Sequence, residues 1–232
     1  MKRVILCLLV AVQLLIGGAA MAERLLVELE INTGPGYKQI GGMGYLSSAM
    51  IEGRYNFEGR VVLQNKSKEN VTFCDSVLYI MHHGVEVARI TPSRVSPAST
   101  GPDGFALLTY SAMDILMPDL KDIQTVMTRN KACLEYERQM FVGTKYGTVE
   151  RSEYSDALRL KLDIAEIDKG VFTVILVALD DSGQMLWAED VIVDRGEESA
   201  AYVDLEGYEL KLFEENGLAP DIIYGIVHMN LY

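Results

Sequence analysis

The sequence predicts a mainly β protein built of antiparallel β-sandwiches and interrupted by one partly helical connector. Three features predict it. Apolar residues recur at every second position in several segments, the period of a half-buried strand. Turn-forming stretches separate these segments at short intervals. No helical pattern alternates with them, as a parallel α/β sheet would require.

The first segment is not a strand. Lys2 and Arg3 precede an uncharged run from Val4 to Ile16, followed by Gly17, Gly18 and Ala20-Met21-Ala22. A charged start, an apolar stretch and an A-x-A site in that order predict a signal peptide over residues 1–22, cleaved after Ala22. The apolar run is about 13 residues, short of the roughly 20 that a helix needs to cross hydrocarbon. Cys7 lies in the middle of that run, without the small residues that precede a lipoprotein cysteine. The product is expected to be secreted or periplasmic, with an uncleaved or lipid-linked anchor as the alternative.

The first sandwich is expected over residues 23–117. Leu25, Val27, Leu29 and Ile31 alternate with Leu26, Glu28 and Glu30. Val61 to Leu63, Val77 to His82, Val85 to Ile90 and Phe105 to Tyr110 add short strands, divided by the turn-rich stretches Lys66 to Asn70 and Ser96 to Gly104. A connector follows over 118–157. From Pro118 to Phe141 the residues Leu120, Ile123, Met127, Leu134 and Phe141 fall near helical spacing, with Asp119 and Asp122 early and Lys131 and Arg138 late. That arrangement predicts a helix, although Thr125, Val126 and Thr128 are poor helix formers. The polar stretch Gly143 to Asp156 completes the link.

The second sandwich is expected over 158–232. Leu158, Leu160, Leu162 and Ile164 alternate with Arg159, Lys161 and Asp163. Val171 to Leu179 is nearly all apolar, the pattern of a central strand covered on both faces. Asp180-Asp181-Ser182-Gly183 then turns the chain into Met185 to Val193 as a hairpin. Ala200 to Leu205 and Ile222 to Met229 complete the block. One larger sandwich is the alternative architecture.

Removal of residues 1–22 leaves 19 basic residues against 33 acidic ones, a net charge of −14. A chain this acidic, with no Lys/Arg cluster, is a poor ligand for nucleic acid or an anionic bilayer. Two cysteines remain, Cys74 and Cys133, and export would place them where thiols oxidise. A disulfide between them would stabilise the fold by roughly 4 kcal/mol in the chain-entropy account. Two separate thiols are the alternative.

Few residues invite chemistry. His82 and His83 are adjacent, and on a strand they point to opposite faces, so they cannot share a metal without a bulge or turn between them. No metal site is expected there, and His228 reads as structural. There is no G-x-S-x-G elbow, no H-E-x-x-H and no phosphate loop, so no catalytic residue and no cofactor is assigned. Asp180-Asp181-Ser182-Gly183 and Glu214-Glu215-Asn216-Gly217 lack calcium-loop spacing and read as turns. Asn65-Lys66-Ser67 and Asn70-Val71-Thr72 match the glycosylation acceptor, which has meaning only in a eukaryotic source. The terminal Tyr232 does not signal an outer-membrane barrel, since Asn230 and His228 break the lipid-facing row. The glycine-rich stretch Thr33 to Tyr55 reads as a mobile loop offering Tyr37, Tyr45 and Tyr55 to a protein partner.

Residues 57–110 carry a resemblance. Phe57, Val61 to Leu63, Asn65, Val71, Tyr79, Gly84, Val87-Ala88 and Pro97-Ala98 look like the pattern of the water-stress, late-embryogenesis-abundant type 2 immunoglobulin-like domain, with Lys66 where that pattern has proline. The resemblance covers about a quarter of the chain and implies an immunoglobulin-like sandwich with a binding or protective role and no catalytic residues. The functional expectation is an exported, non-enzymatic binding or assembly module that holds a protein partner through loops or a strand edge. The alternative is a secreted hydrolase with no recognisable motif.

Overall fold

The structure, a computed structural model, describes residues 24–29, 36–129, 139–151 and 157–230. The predicted signal segment, Cys133 and Tyr232 lie outside the described residues. Strands dominate, as the two-residue alternation predicts, and every ladder is antiparallel.

The first block contains β1 (Arg24–Glu28), β2 (Tyr37–Ser48), β3 (Arg54–Asn65), β4 (Val71–Thr72), β5 (Ser76–His82), β6 (Val85–Ile90), β7 (Arg94–Ser96), β8 (Ser99–Thr100), β9 (Phe105–Leu116) and β10 (Ile123–Arg129). A five-stranded sheet in the order β1-β2-β3-β9-β7 faces a three-stranded sheet, β10-β5-β6, with β4 and β8 paired beside them. Phe57, Val61, Leu63 and Leu108 of the larger sheet pack with Leu78, Ile80 and Met127 of the smaller in one buried cluster.

The second block contains β11 (Gln139–Tyr146), β12 (Thr148–Arg151), β13 (Leu158–Asp163), β14 (Val171–Leu179), β15 (Met185–Asp194), β16 (Ala200–Leu205), the helix α1 (Gly207–Glu215) and β17 (Ile222–Asn230). A four-stranded sheet, β11-β17-β14-β15, lies against a three-stranded one, β12-β13-β16. Leu160, Leu162, Ala201 and Leu205 close one side of its core. Met43, Tyr45, Val62, Phe105 and Leu107 from the first block belong to the same cluster. The four-stranded sheet is therefore sandwiched, and β14 is buried from Phe172 to Ala178, as its unbroken apolar run predicts.

The alternation within β3 and β9 explains how one sheet serves two cores. Val61 and Leu63 enter the first core while Val62, between them, enters the second. Ala106 and Leu108 likewise face the first, and Phe105 and Leu107 the second. The sheets approach closely at Gly41, where a Cβ would lie 2.5 Å from the Cβ of Met185.

The connector departs from expectation. Ile123–Arg129 is not helical; it is β10, paired along its full length with β5 from Ile123 opposite His82 to Arg129 opposite Ser76. Ile123 and Met127 are four apart, an even spacing that suits one face of a strand as well as a helix, and β-branched Thr125, Val126 and Thr128 tip the balance. Among the described residues, Gln139–Tyr146, which joins the end of the predicted helix to the polar stretch, and Thr148–Arg151 within that stretch are also strands. β11 is the edge of the four-stranded sheet, and β12 pairs with β13. The helix among the described residues, α1, buries Leu212 and Phe213 in the second core. Sequence reading did not find it: Glu206 at its start makes no side-chain cap, so the usual N-terminal signal is missing.

Candidate functional site

The β5–β6 hairpin brings chemistry-bearing side chains together. His82 ends β5 opposite Val85, leaving a two-residue turn of His83 and Gly84. Both have positive φ, +48° and +76°, as a type I′ turn demands; glycine meets this freely and His83 at some strain. The turn takes the His83 side chain out of strand alternation, so the opposite-faces expectation does not apply. One ring is buried and the other is in water, yet their centroids are 4.3 Å apart.

The loop between β9 and β10 supplies two carboxylates to this hairpin. His82 Nε2 lies 3.1 Å from Asp119 Oδ1, and His83 Nδ1 lies 2.9 Å from Asp122 Oδ2. The His83 backbone N–H also donates to the Asp122 carbonyl. Asp119 Oδ1 accepts the backbone N–H of Lys121 at 2.9 Å. The hydrogen bond with His82, then that N–H, hold the Asp119 carboxyl below its ordinary range. One ligand atom from each of His82, His83 and Asp119 lies within 4.8 Å of the other two.

The three tyrosines singled out for a partner are not on a mobile loop. Tyr37 and Tyr45 belong to β2 and Tyr55 to β3, and all three are buried. Tyr45 packs in the second core with its hydroxyl on Glu58, Tyr55 packs in the first, and Tyr37 meets Phe73 edge-on. Gly41, Gly42 and Gly44, which suggested a loop, are instead strand positions crowded by neighbours. What does remain a loop is the tip between β2 and β3. There Met50 and Ile51 are exposed, and Met113 and Leu116 of β9 are exposed at the same end of the sheet, where Leu116 pairs with Arg54. Alternation could not single these four out, since scattered apolar residues on a surface are ordinary.

Other candidates take structural roles. His228 is buried at the seam between the blocks, where its Nε2 accepts the Phe105 backbone N–H at 3.3 Å. Burial lowers its pKa to about 4, so the ring is neutral near pH 7. At the same seam Asp190 is buried and accepts from Arg94 and Ser96, while Arg60 stacks 3.5 Å from the centre of the Trp187 ring. Asn65 is wholly buried, its Nδ2 donating to the carbonyls of Glu69, Thr100 and Gly101, which leaves no room for a glycan in the folded chain. Asp180 caps its own hairpin, with Oδ1 accepting from Ser182 and Gln184, as a turn residue does. Cys74 is exposed and pairs with no other cysteine among the described residues, and its predicted partner Cys133 lies outside them.

Two open grooves of about 630 and 700 Å³ flank β1, and neither is lined by a histidine or a cysteine. Among the described residues no helix is long and apolar enough to cross a membrane. No protein-family model, curated protein or solved structure matches the chain.

Proposed function

We propose that this chain is an exported, non-enzymatic binding or assembly module that holds a protein partner through the loop end of its five-stranded sheet. The carrying observation is the exposed apolar tip: Met50 is fully exposed, and Ile51, Met113 and Leu116 are more than half exposed, at one end of a sheet whose other apolar residues serve two cores. Large exposed apolar side chains at one end of a sheet favour association. The acidic charge of the chain disfavours nucleic acid and anionic lipid and leaves protein as the fitting partner class.

Affinity capture from the native envelope or culture fluid tests this with paired baits. Wild-type chain should retain a partner that the Met50→Ser/Ile51→Ser/Leu116→Ser variant loses, with the variant's unfolding midpoint little changed. Equal capture by both baits would exclude the tip. Reproducible turnover of a generic ester, glycoside or peptide substrate, abolished by a point substitution, would favour the hydrolase reading instead.

A further inference from the structure

We propose that His82, His83 and Asp119 form a binding site for a divalent transition-metal ion of the zinc class, with Asp122 orienting the His83 ring. This inference does not depend on the partner-binding role, since the hairpin and the apolar tip are separate features of the first block.

The ligand set is the first argument. Two imidazoles and a carboxylate are nitrogen and oxygen donors of the kind that zinc and its neighbours prefer, whereas calcium and magnesium take oxygen shells. Spacing is the second. Zinc holds its ligands at about 2.0–2.2 Å, so tetrahedral ligand atoms stand about 3.3 Å apart. His82 Nε2 and Asp119 Oδ1 are already 3.1 Å apart, and one ligand atom from each of the three residues lies within 4.8 Å of the other two. His83 and Asp122 are both exposed, on a turn and a loop, so the paired side chains can shift together to close the remaining gap without moving a strand.

Orientation is the third argument. Ligating histidines characteristically donate their second N–H to a carboxylate or carbonyl, which fixes the tautomer. His83 Nδ1 has that partner in Asp122, so its other nitrogen keeps a lone pair for an ion. Backbone bonds hold both acids in place: Lys121 N–H on Asp119, and His83 N–H on the Asp122 carbonyl. Three protein ligands leave a fourth position to water or to a group from outside, the arrangement of an open rather than a closed site.

Isothermal titration of the tag-free full chain with Zn²⁺ is the test, beside the His83→Ala, Asp119→Asn and Asp122→Asn variants. The wild type should bind one equivalent with a saturable isotherm, and Zn²⁺ should raise its melting temperature. His83→Ala and Asp119→Asn should each weaken binding more than tenfold. Asp122→Asn should weaken it by about tenfold, as loss of an orienting carboxylate does. His83 and Asp119 are accessible to solvent, so metal-free variants should melt close to the wild type, which separates lost ligands from lost fold. No saturable one-to-one uptake by the wild type, or uptake that His83→Ala and Asp119→Asn both retain, would overturn the site.

Discussion

The two blocks solve the same packing problem with different degrees of independence. The first core is closed by residues of the first block alone, from Val27 in β1 to Met127 in β10. The second core is not self-sufficient: it takes Met43, Tyr45, Val62, Phe105 and Leu107 from the far face of the five-stranded sheet. A sheet with apolar residues on both faces must be covered twice, and here the second block supplies the second cover. The folding of the second block should therefore depend on the first, with the seam as the coupling element.

The largest effect should come from the core that both blocks rest on. Phe57 is wholly buried in the first core. Phe57→Ala should lower stability by about 3–5 kcal/mol. Urea denaturation should show a lower midpoint for the entire chain, and a loss confined to half the signal would break the comparison.

Next in size is an acid effect at the seam. His228 titrates at about 4 in the folded chain, against an ordinary value of 6.5. Between those values the unfolded chain binds a proton that the folded chain does not, so stability falls as pH drops from about 6.5 through about 4. The full loss is roughly 3 kcal/mol, and no contribution remains above the upper value. His228→Gln keeps an acceptor for the Phe105 N–H and removes the titration. Denaturation midpoints at several pH values in this range should therefore fall less steeply in the variant than in the wild type.

A smaller effect is expected from Gly41→Ala, where the added methyl meets Met185 across the seam. Overpacking of this kind costs about 1–3 kcal/mol. The emission of Trp187, the only tryptophan in the chain, should report the change, since its ring belongs to the same interface. An unchanged spectrum and midpoint would mean that the blocks slide apart at little cost.

What was legible in the sequence followed from local pattern, and what was missed needed distant partners. The run Val171 to Leu179 announces a strand covered twice because all its residues but Thr173 are apolar. Val61 to Leu63 announced a strand, but nothing local says that Val62 joins a core built mainly from residues after 158. The apolar spacing of the segment 123–129 fits helix and strand alike, and its partner β5 lies earlier in the chain, with Ile123 opposite His82 and Arg129 opposite Ser76. Tyr37, Tyr45 and Tyr55 sat among glycines that looked like a loop, yet those glycines let strands and side chains pack closely. The histidine pair was visible, but bringing Asp119 and Asp122 to it required the β9–β10 loop to fold back on the hairpin.

Equilibrium unfolding followed by two probes tests the dependence of the second block on the first most directly. Trp187 fluorescence reports the seam, and far-ultraviolet circular dichroism reports all the sheets. Coupled blocks lose both signals in one superimposable transition. A partial loss of strand signal that precedes any change at Trp187 would show that the second block stands without the first, and would contradict the shared core.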